Sequence, residues 1–249
     1  MTGESLEGKV ALVTGGARRV GAAIVRRLHG AGASIVLHYR GSEAAAAALE
    51  GELNTRRPAS CARLRADLLA EGTPEALVNE AAQRFGGLDV LVNNASMFYV
   101  TRLGKIATRQ WDEIVGSNLR APLFLSQAAA PQLRERGGAI VNVTDIHAER
   151  PLRNFLVYSV AKAGLAALTR SLALELAPRV RVNAVAPGAI AWPEDDKFEN
   201  AERQRIVATT PLGRIGDPGD IAQAVHFLVC APYVTGQTLA IDGGRSIFI

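Results

Sequence analysis

The sequence has few cysteines, few histidines and few aromatic residues, and each shortage excludes a kind of site. Its two cysteines, Cys61 and Cys230, stand far apart with no CxxC pair and no histidine spacing around them. Neither a disulfide framework nor a zinc site is predicted, and we expect buried free thiols. The 4 histidines show no HxxxH or carboxylate spacing, so no metal site is expected. Aromatic residues make up only 5% of the chain, so each well-placed ring is informative.

The chain also lacks a run of about 18 apolar residues, the length that a membrane-spanning helix needs. Its first residues are polar where a signal peptide would be apolar, so we expect a cytoplasmic protein without a membrane segment. The net charge is +4, and arginine supplies most of the 28 basic residues. These arginines are scattered rather than gathered in one block, which predicts a solvated surface and no nucleic-acid partner.

Short runs rich in Val, Ile and Leu alternate with segments of helical period, the pattern of β-α-β units around a buried parallel sheet. The predicted strands are Val10–Thr14, Ser34–Tyr39, Ala62–Ala66, Val90–Asn93, Ala139–Val143, Arg181–Val185 and Thr238–Ile241. The predicted helices are, approximately, Arg19–Ala31, Glu43–Arg57, Pro74–Phe85, Thr108–Glu135, Tyr158–Leu176 and Pro218–Cys230. Because no linker rich in Pro, Gly or Ser divides the chain, we predict one doubly wound α/β domain over residues 1–249, with a seven-stranded parallel sheet.

Local signals mark two helix starts and one long connection. Thr73-Pro74 and Asp217-Pro218 each place a capping side chain before a proline, which favours a helix N-terminus. The longest stretch without a predicted element runs from Pro187 to about Asn200. A connection of this length is typical of a lid or a binding segment.

A glycine-rich turn follows the first predicted strand and opens the first predicted helix, with the sequence Thr14-Gly15-Gly16-Ala17-Arg18-Arg19-Val20-Gly21. In that position backbone N–H groups and the helix N-terminus can meet a pyrophosphate. Cations at a helix N-terminus oppose the macrodipole, so Arg18 and Arg19 suit a site that holds an anion. The alternative is that both side chains extend into solvent.

The end of the second predicted strand indicates which dinucleotide is bound. Sites for NAD place Asp or Glu there, about 20 residues after the turn, to hold the ribose 2′-OH. This strand ends in His38-Tyr39-Arg40-Gly41-Ser42, and no acid occurs before Glu43. A guanidinium and a hydroxyl suit a 2′-phosphate instead, which predicts NADPH or NADP as the cofactor. The alternative is a surface arginine in a turn.

Tyr158 and Lys162 are four residues apart in a segment of helical period, so both side chains emerge on one face. An ammonium near a phenol, together with an oxidised nicotinamide, lowers the tyrosine pKa from about 10 toward the working pH. Tyr158 is therefore predicted to donate a proton. Most isolated pairs of this spacing are surface pairs, so the prediction depends on the surrounding motifs.

Three further motifs surround this pair: Asn93-Asn94-Ala95 after the fourth strand, Asn118 in the next helix, and Pro187-Gly188 after the sixth strand. Together with the glycine turn they closely resemble the short-chain dehydrogenase/reductase family, in its order and spacing and over nearly the whole chain. The resemblance implies a Rossmann-type fold, a nicotinamide cofactor and a homotetramer. It also implies Tyr158 as acid, Lys162 on the ribose and Asn118 in the proton relay, with Asp67 beside the adenine.

The expected site residues follow from these motifs and the resemblance. We place the cofactor half at about residues 8–145 and the catalytic and substrate half at about 146–249. The expected cofactor contacts are Gly15, Arg18, Arg19, Val20, His38, Tyr39, Arg40, Ser42, Asp67, Leu68, Asn94, Ala95, Ser96, Tyr158, Lys162, Pro187 and Gly188. The expected catalytic residues are Asn118, Asp145, Tyr158 and Lys162, and the expected substrate contacts are Arg19, Ser96, Phe98, Asp145 and Tyr158.

Two departures from the common family pattern look like the pteridine reductases. Arg19 replaces the middle glycine of the turn, and Asp145 replaces the serine usually found 13 residues before the tyrosine. That subfamily is also similar in having Phe shortly after Asn-Asn-Ala-Ser, here Phe98 after Ser96, and a His-Tyr pair before Arg and Ser. It often has one more residue between the two pairs, so it stays open which of Arg40 and Ser42 meets the 2′-phosphate.

The chemistry of a carboxylate supports the same reading of Asp145. A serine hydroxyl donates to a carbonyl oxygen that is becoming an alkoxide, whereas a carboxylate repels it. A C=N bond needs a proton at nitrogen, which a carboxyl group and a tyrosine can relay. Phe98 can stack on a flat pterin. The alternatives are that Asp145 caps a loop backbone and that Phe98 is a core aromatic.

The sequence thus predicts an NADPH-dependent pteridine reductase acting on a dihydropterin such as dihydrobiopterin, dihydromonapterin or dihydrofolate. A carboxylate among Glu194, Asp195 and Asp196 can pair with the amino edge of such a ring, although a solvated acidic loop is the simpler interpretation. One alternative is a carbonyl reductase of the same family acting on 3-oxoacyl or keto substrates. Another is an NADP-binding regulator without turnover.

Overall fold

The structure, a computed structural model, describes residues 5–192 and 199–248, which form seven strands and eight α-helices. The strands are β1 Val10–Val13, β2 Ser34–Tyr39, β3 Cys61–Arg65, β4 Val90–Asn93, β5 Ala139–Val143, β6 Arg181–Pro187 and β7 Thr238–Ile241. The helices are α1 Arg19–Gly30, α2 Glu43–Arg56, α3 Thr73–Phe85, α4 Thr108–Val115, α5 Ala121–Arg136, α6 Leu156–Leu176, α7 Asn200–Ala208 and α8 Pro218–Cys230.

All seven strands pair in parallel in the order β3-β2-β1-β4-β5-β6-β7. The order reverses between β1 and β4, and open sheets of this kind bind ligands in the crevice at the carboxyl ends of those strands. Val13 at the end of β1 pairs with Leu37 on one side and Val92 on the other, so the segments after β1, β2 and β4 meet at one edge. The predicted single domain with a seven-stranded parallel sheet is confirmed.

Helices cover both faces of the sheet, so its strands are apolar on both sides. Leu12 and Val13 are neighbours in β1 whose side chains enter opposite clusters, and both are fully buried. One cluster contains Ile24 of α1 and Val225 of α8, and the other contains Leu125 of α5. Such two-sided burial explains the continuous Val, Ile and Leu runs of the sequence.

The structure departs from the sequence predictions at three helices. Helix α7 has no predicted counterpart, because none of its residues is buried and it therefore has no apolar stripe. The predicted helix Thr108–Glu135 is divided into α4 and α5 by a π-helical segment, Gly116–Arg120, whose wider turn leaves no mark in an apolar period. Thr73 is the first residue of α3 rather than its cap, because Gly72 precedes it with φ +72°.

Other local predictions have clear outcomes. Asp217 caps α8 as expected, with its carboxylate accepting from the Gly219 N–H at 2.7 Å. Cys61 is a buried free thiol whose pKa burial raises to about 12, whereas Cys230 is half-buried rather than buried. Within residues 5–192 and 199–248, no helix has both the length and the apolar character needed to cross a membrane.

Candidate active site

The glycine turn after β1 is shaped by close contacts that exclude side chains. Gly15 has φ +60°, and a Cβ on it would lie 3.0 Å from the Ala95 Cα. A Cβ on Gly21 would lie 2.1 Å from the Gly15 carbonyl oxygen, so α1 starts directly against the turn. Only glycine allows this approach of backbone to backbone, which brings the α1 N-terminus to the crevice between β1 and β4.

Arg19 links this turn to the segment after β6. Its backbone has φ +49°, so it keeps the left-handed conformation for which glycine is the usual residue. Its guanidinium donates to the Ala191 carbonyl at 2.8 Å and to the Ile190 carbonyl at 3.4 Å. Arg19 is exposed, as the alternative of a side chain extended into solvent expects, but its guanidinium is bonded to backbone carbonyls. Arg19 thus connects the glycine turn, where the cofactor is expected, to the segment after β6, where the substrate is expected.

His38 lies behind the turn, where its ring is buried. Its Nδ1 accepts from the Gly15 N–H at 3.2 Å, and its Nε2 donates to the Ala66 carbonyl at 3.2 Å. Burial lowers the pKa of His38 to about 4, so the ring is neutral at neutral pH and fits this pair of bonds. We infer that His38 acts on the cofactor by positioning the turn.

Asn94 ties the end of β4 to the same turn. Its side-chain amide donates to the Thr14 and Gly15 carbonyls at 2.9 and 3.1 Å. The backbone N–H groups of Asn94 and Ala95 both donate to the Thr14 hydroxyl at 3.0 Å. These bonds hold the segment after β4 against the glycine turn, so both sides of the crevice are fixed by the protein itself.

A groove of about 330 Å³ lies beside the turn, at the start of α2. Arg18, Gly41, Ser42 and Glu43 line it. The Ser42 side chain makes no capping bond to α2, so the N-terminal N–H groups of this helix have no side-chain acceptor there. Arg18, the helix N-terminus and the hydroxyl form an arrangement suited to a phosphate.

The remaining residues expected at the cofactor sit at the ends of β2, β3, β4 and β6. Arg40 is exposed, and its carbonyl accepts from Arg65 at 3.3 Å. Tyr39 is buried and its hydroxyl donates to Glu43, so its polar end faces α2. The others have these environments: Val20 half-buried in α1, Asp67 and Ser96 exposed, Leu68 buried, and Pro187 and Gly188 half-buried at the end of β6.

Asp145 and Tyr158 meet in the crevice. The Tyr158 hydroxyl donates to Asp145 Oδ2 at 2.7 Å, and Asp145 Oδ1 accepts from the His147 N–H at 2.9 Å. Oδ2 therefore provides the carboxyl group predicted beside the tyrosine, and Oδ1 makes the loop cap of the alternative interpretation. The carboxylate is held in place by the loop that it caps.

Lys162 lies on the same face of α6, buried one turn beyond Tyr158. Its ammonium donates to the Val143 carbonyl at 2.7 Å and lies 5.6 Å from the centre of the Tyr158 ring. Burial lowers the pKa of Lys162 to about 8, while the nearby Asp145 opposes this shift. The lysine therefore changes charge close to neutral pH.

The sequence predicts a lowered Tyr158 pKa when an ammonium and an oxidised nicotinamide both lie beside the phenol, whereas the protein groups alone shift it upward. Burial raises the pKa of Tyr158 well above its ordinary value, and the charge of Asp145 and the hydrogen bond to it raise it further. A carboxylate beside a phenol disfavours the phenolate. Tyr158 is consequently a neutral phenol with its proton directed at Asp145.

Asn118 stands in the π-helical segment. Its side-chain amide donates to the Met97 and Ile114 carbonyls, both at 2.9 Å. Its Oδ1 is buried and has no hydrogen-bond partner among the described residues. A π turn in a helix is frequent at functional sites. Here the Asn118 Oδ1 is the acceptor that the predicted proton relay requires.

Phe98 forms an aromatic group with Phe155 and Tyr158 at the mouth of the crevice. Its ring stacks on Phe155 with centroids 4.4 Å apart, and it meets Tyr158 edge to face at 4.8 Å. Since 37% of Phe98 is exposed, the alternative of a core aromatic is wrong. Sequence reasoning missed Phe155, and its only signal was a ring three residues before the catalytic tyrosine in a chain with few rings.

Three acidic residues expected near a substrate, Glu194, Asp195 and Asp196, lie outside the described residues. The structure reaches Trp192, whose ring has the Arg203 guanidinium of α7 at 5.4 Å. This contact joins the segment after β6 to α7.

Comparison with known proteins places this arrangement in a family. Residues 15–246 match the family described as enoyl-(acyl carrier protein) reductase. The chain is 36% identical to a 3-oxoacyl-[acyl-carrier-protein] reductase FabG of Staphylococcus aureus, over 95% of this chain and 97% of that one. It is also 36% identical to pteridine reductase 1 of Leishmania tarentolae, over 96% of each.

A solved structure has the same fold. It is a blue fluorescent protein from a metagenomic library in complex with NADPH, with a TM-score of 0.91 and 36% identity, covering 97% of this chain and 99% of that one. The extent of the match, the shared fold and the motifs at the carboxyl edge of the sheet agree. The chain belongs to the short-chain dehydrogenase/reductase family.

Proposed function

We propose that this reductase is an NADPH-dependent pteridine reductase, which transfers hydride to a C=N bond of a dihydropterin and gives the tetrahydro form. The observation that carries the proposal is the 2.7 Å hydrogen bond from Tyr158 to Asp145. A carboxylate in that place opposes a developing alkoxide and suits the protonation of a ring nitrogen. Dihydrobiopterin, dihydromonapterin and dihydrofolate are the candidate substrates.

The residues present fit NADPH. The groove lined by Arg18 and Ser42 suits a 2′-phosphate, and Arg40, exposed and next in sequence to the lining Gly41, can extend to it. The glycine turn brings the α1 N-terminus to the pyrophosphate. Lys162 is placed to hold the ribose once its ammonium leaves the Val143 carbonyl. When bound, NADPH supplies the hydride.

Asp145, Tyr158 and Asn118 handle the proton. The phenol proton lies between the two oxygens of Tyr158 and Asp145, so either group can present it to a ring nitrogen at the mouth of the crevice. The Lys162 ammonium, buried beside the ring, stabilises the negative charge that remains after transfer. The unpaired Asn118 Oδ1 provides the acceptor through which the proton is replaced.

The aromatic group supports a flat substrate. Phe98 is 37% exposed and stacks on Phe155, so the exposed part of its ring can contact a substrate. A pterin ring can stack on such a face, with centroid distances of about 4.5–7 Å. A linear 3-oxoacyl chain gains less from a flat ring than a pterin does.

A carbonyl reductase acting on 3-oxoacyl or keto substrates is the second candidate. The comparisons support it better, since the matched family is named for an acyl carrier protein substrate. A FabG relative and the pteridine reductase match at the same identity, so identity alone does not separate the two activities. Our proposal depends on Asp145 to do so. A regulator without turnover has no use for Asn118, Tyr158 and Lys162 together.

One assay separates these functions. Oxidation of NADPH is measured with dihydrobiopterin, dihydromonapterin, dihydrofolate, a 3-oxoacyl thioester and a keto sugar. The proposal expects the highest kcat/KM on one of the three reduced pterins. A higher value on the thioester or the sugar assigns the carbonyl reductase instead, and NADPH binding without turnover on any substrate assigns the regulator.

We also propose a homotetramer. In the single chain, Phe124 of α5 and Val160 of α6 are exposed, and so are Phe227 of α8 and Leu239 of β7. Two separate apolar faces on one chain allow two different two-fold contacts, which together build four subunits. Light scattering should give four times the 26.4 kDa chain mass, and Phe124→Glu or Phe227→Glu should each give a dimer.

A further inference from the structure

An acidic residue stands in the groove that is expected to hold a phosphate. Glu43 is the first residue of α2 and lines the groove with Arg18, Gly41 and Ser42. A carboxylate at the end of the second strand favours the ribose 2′-OH of NAD and repels a 2′-phosphate. The Glu43 carboxylate is therefore expected to weaken the binding of NADPH.

Two contacts hold the Glu43 carboxylate. The Tyr39 hydroxyl donates to its Oε2, and the Arg63 Nε donates to its Oε1 at 3.2 Å. The pKa of Glu43 is lowered by the Tyr39 hydrogen bond first and by Arg63 as well, so the carboxylate carries its full charge at neutral pH. Arg63 balances this charge only in part, because the same guanidinium also binds Glu50, and Arg65 adds a second positive charge nearby.

The position of Arg63 sets the direction in which the carboxylate is held. Tyr39 is the last residue of β2 and pairs with Arg65, whereas Arg63 pairs with Leu37, two residues before the strand ends. Arg63 is anchored there because its guanidinium and its backbone N–H both bind Glu50 of α2. Arg63 thus holds the Glu43 carboxylate, which stays 55% exposed, against the sheet at the rim of the groove.

We propose that Arg63 and Tyr39 are positioning residues for cofactor specificity, which hold the Glu43 carboxylate and reduce its repulsion so that the groove accepts a 2′-phosphate. This inference rests on the proposed placement of the 2′-phosphate beside Arg40 and Ser42. Arg63 was not among the residues expected at the cofactor, because it lies inside β3 and touches the groove only through Glu43.

The test measures binding of two cofactor fragments, 2′,5′-ADP and 5′-AMP, by calorimetry, without turnover. Arg63→Met should weaken 2′,5′-ADP by about threefold to tenfold, because it leaves one carboxylate uncompensated near a phosphate. It should change 5′-AMP by less than about twofold, because that ligand has no 2′-phosphate. Tyr39→Phe keeps the ring and removes one hydrogen bond, so it should give a smaller loss in the same direction.

The decisive variant adds Glu43→Gln to Arg63→Met. If Arg63 acts through the Glu43 charge, this double variant regains the affinity of the unchanged protein for 2′,5′-ADP. Arg56→Met is the matched control, since it removes an exposed ion pair with Glu52 on the same helix, and it should alter neither ligand.

Equal weakening of both fragments by Arg63→Met, or no rescue by Glu43→Gln, overturns the inference and makes Arg63 a structural residue of the sheet. Arg40→Ala tests the placement on which the inference rests. If Arg40→Ala leaves 2′,5′-ADP unchanged, the placement is wrong, and that failure is separate from the behaviour of Arg63. Thermal unfolding of each variant shows whether the fold is kept.

Discussion

The glycine turn after β1 and the candidate catalytic pair, Asp145 after β5 and Tyr158 of α6 with the adjacent Lys162, lie along the same edge of the sheet, but different contacts hold them. Around the turn, backbone groups, the Asn94 amide and the neutral His38 ring bond to one another. At the pair, a buried ammonium, a carboxylate and a phenol lie together, and the lysine and tyrosine pKa values are shifted.

This difference predicts that substitutions in the two regions have different effects on affinity, rate and pH dependence. The cofactor turn contains no group that titrates near neutral pH, since the pKa of His38 is about 4. The catalytic pair depends on charge, and Lys162 titrates at about pH 8. We therefore expect substitutions at the turn to change affinity at every pH, and substitutions at the pair to change the rate and its pH profile.

The largest effect is expected from Tyr158→Phe, which removes one oxygen. Loss of a general acid lowers kcat by about 10²- to 10⁴-fold. Affinity for NADPH should change little, because the ring and its contact with Phe98 remain. Stopped-flow rates and fluorescence titration measure the two quantities, with Tyr233→Phe, a fully exposed tyrosine, as the control. An unchanged kcat removes Tyr158 from the mechanism.

Asp145→Asn is expected to lower kcat on a dihydropterin by about tenfold to a hundredfold, because the amide cannot relay the proton. Asparagine keeps a side-chain oxygen for the His147 N–H, so the loop cap remains. The substitution thus separates the two roles of this carboxylate. Pterin KM should change less than kcat.

The pH profile sharpens the same test. Reduction of C=N consumes a proton, so kcat on dihydropterins should rise as pH falls. A second decline is expected above about pH 8, where Lys162 loses its charge. Asp145→Asn should flatten the first dependence and keep the second. If Asp145→Asn changes neither the rate nor its pH profile, Asp145 only caps the loop. In that case Asp145→Ser should not create weak ketone reduction.

Arg40→Ala tests the cofactor side of the comparison. A charge-assisted contact to phosphate contributes roughly 1.5–3 kcal/mol, so NADPH should bind about tenfold to a hundredfold more weakly while NADH changes little. The loss should be nearly the same at pH 7 and pH 8, because the second pKa of a phosphate monoester is about 6 and the pKa of His38 at the turn is about 4. A wild-type preference for NADH would contradict this assignment.

The sequence predicted most of the fold because the strands are apolar on both faces and helices such as α1 bury residues at helical spacing. Four strands and α8 have the predicted bounds. Helix α7 and the π-helical segment were not predicted, because apolar residues do not recur in either with the spacing that marks a helix. In the site, Asp145 and Phe98 could be found from their positions in motifs. Arg63 and Phe155 could not, since each acts through a neighbour that only the folded chain brings near.

The smallest effect is expected from Phe98→Ala, which tests whether the aromatic group belongs to the substrate. An aromatic pair contributes about 0.5–1.5 kcal/mol beyond buried area, so pterin KM should rise about fivefold to tenfold while NADPH affinity holds. Phe155→Leu removes the ring behind the platform and should raise KM less. Equal damage to pterin and NADPH would mean that Phe98 holds Tyr158 in place through their edge-to-face contact, and kcat would then fall with both.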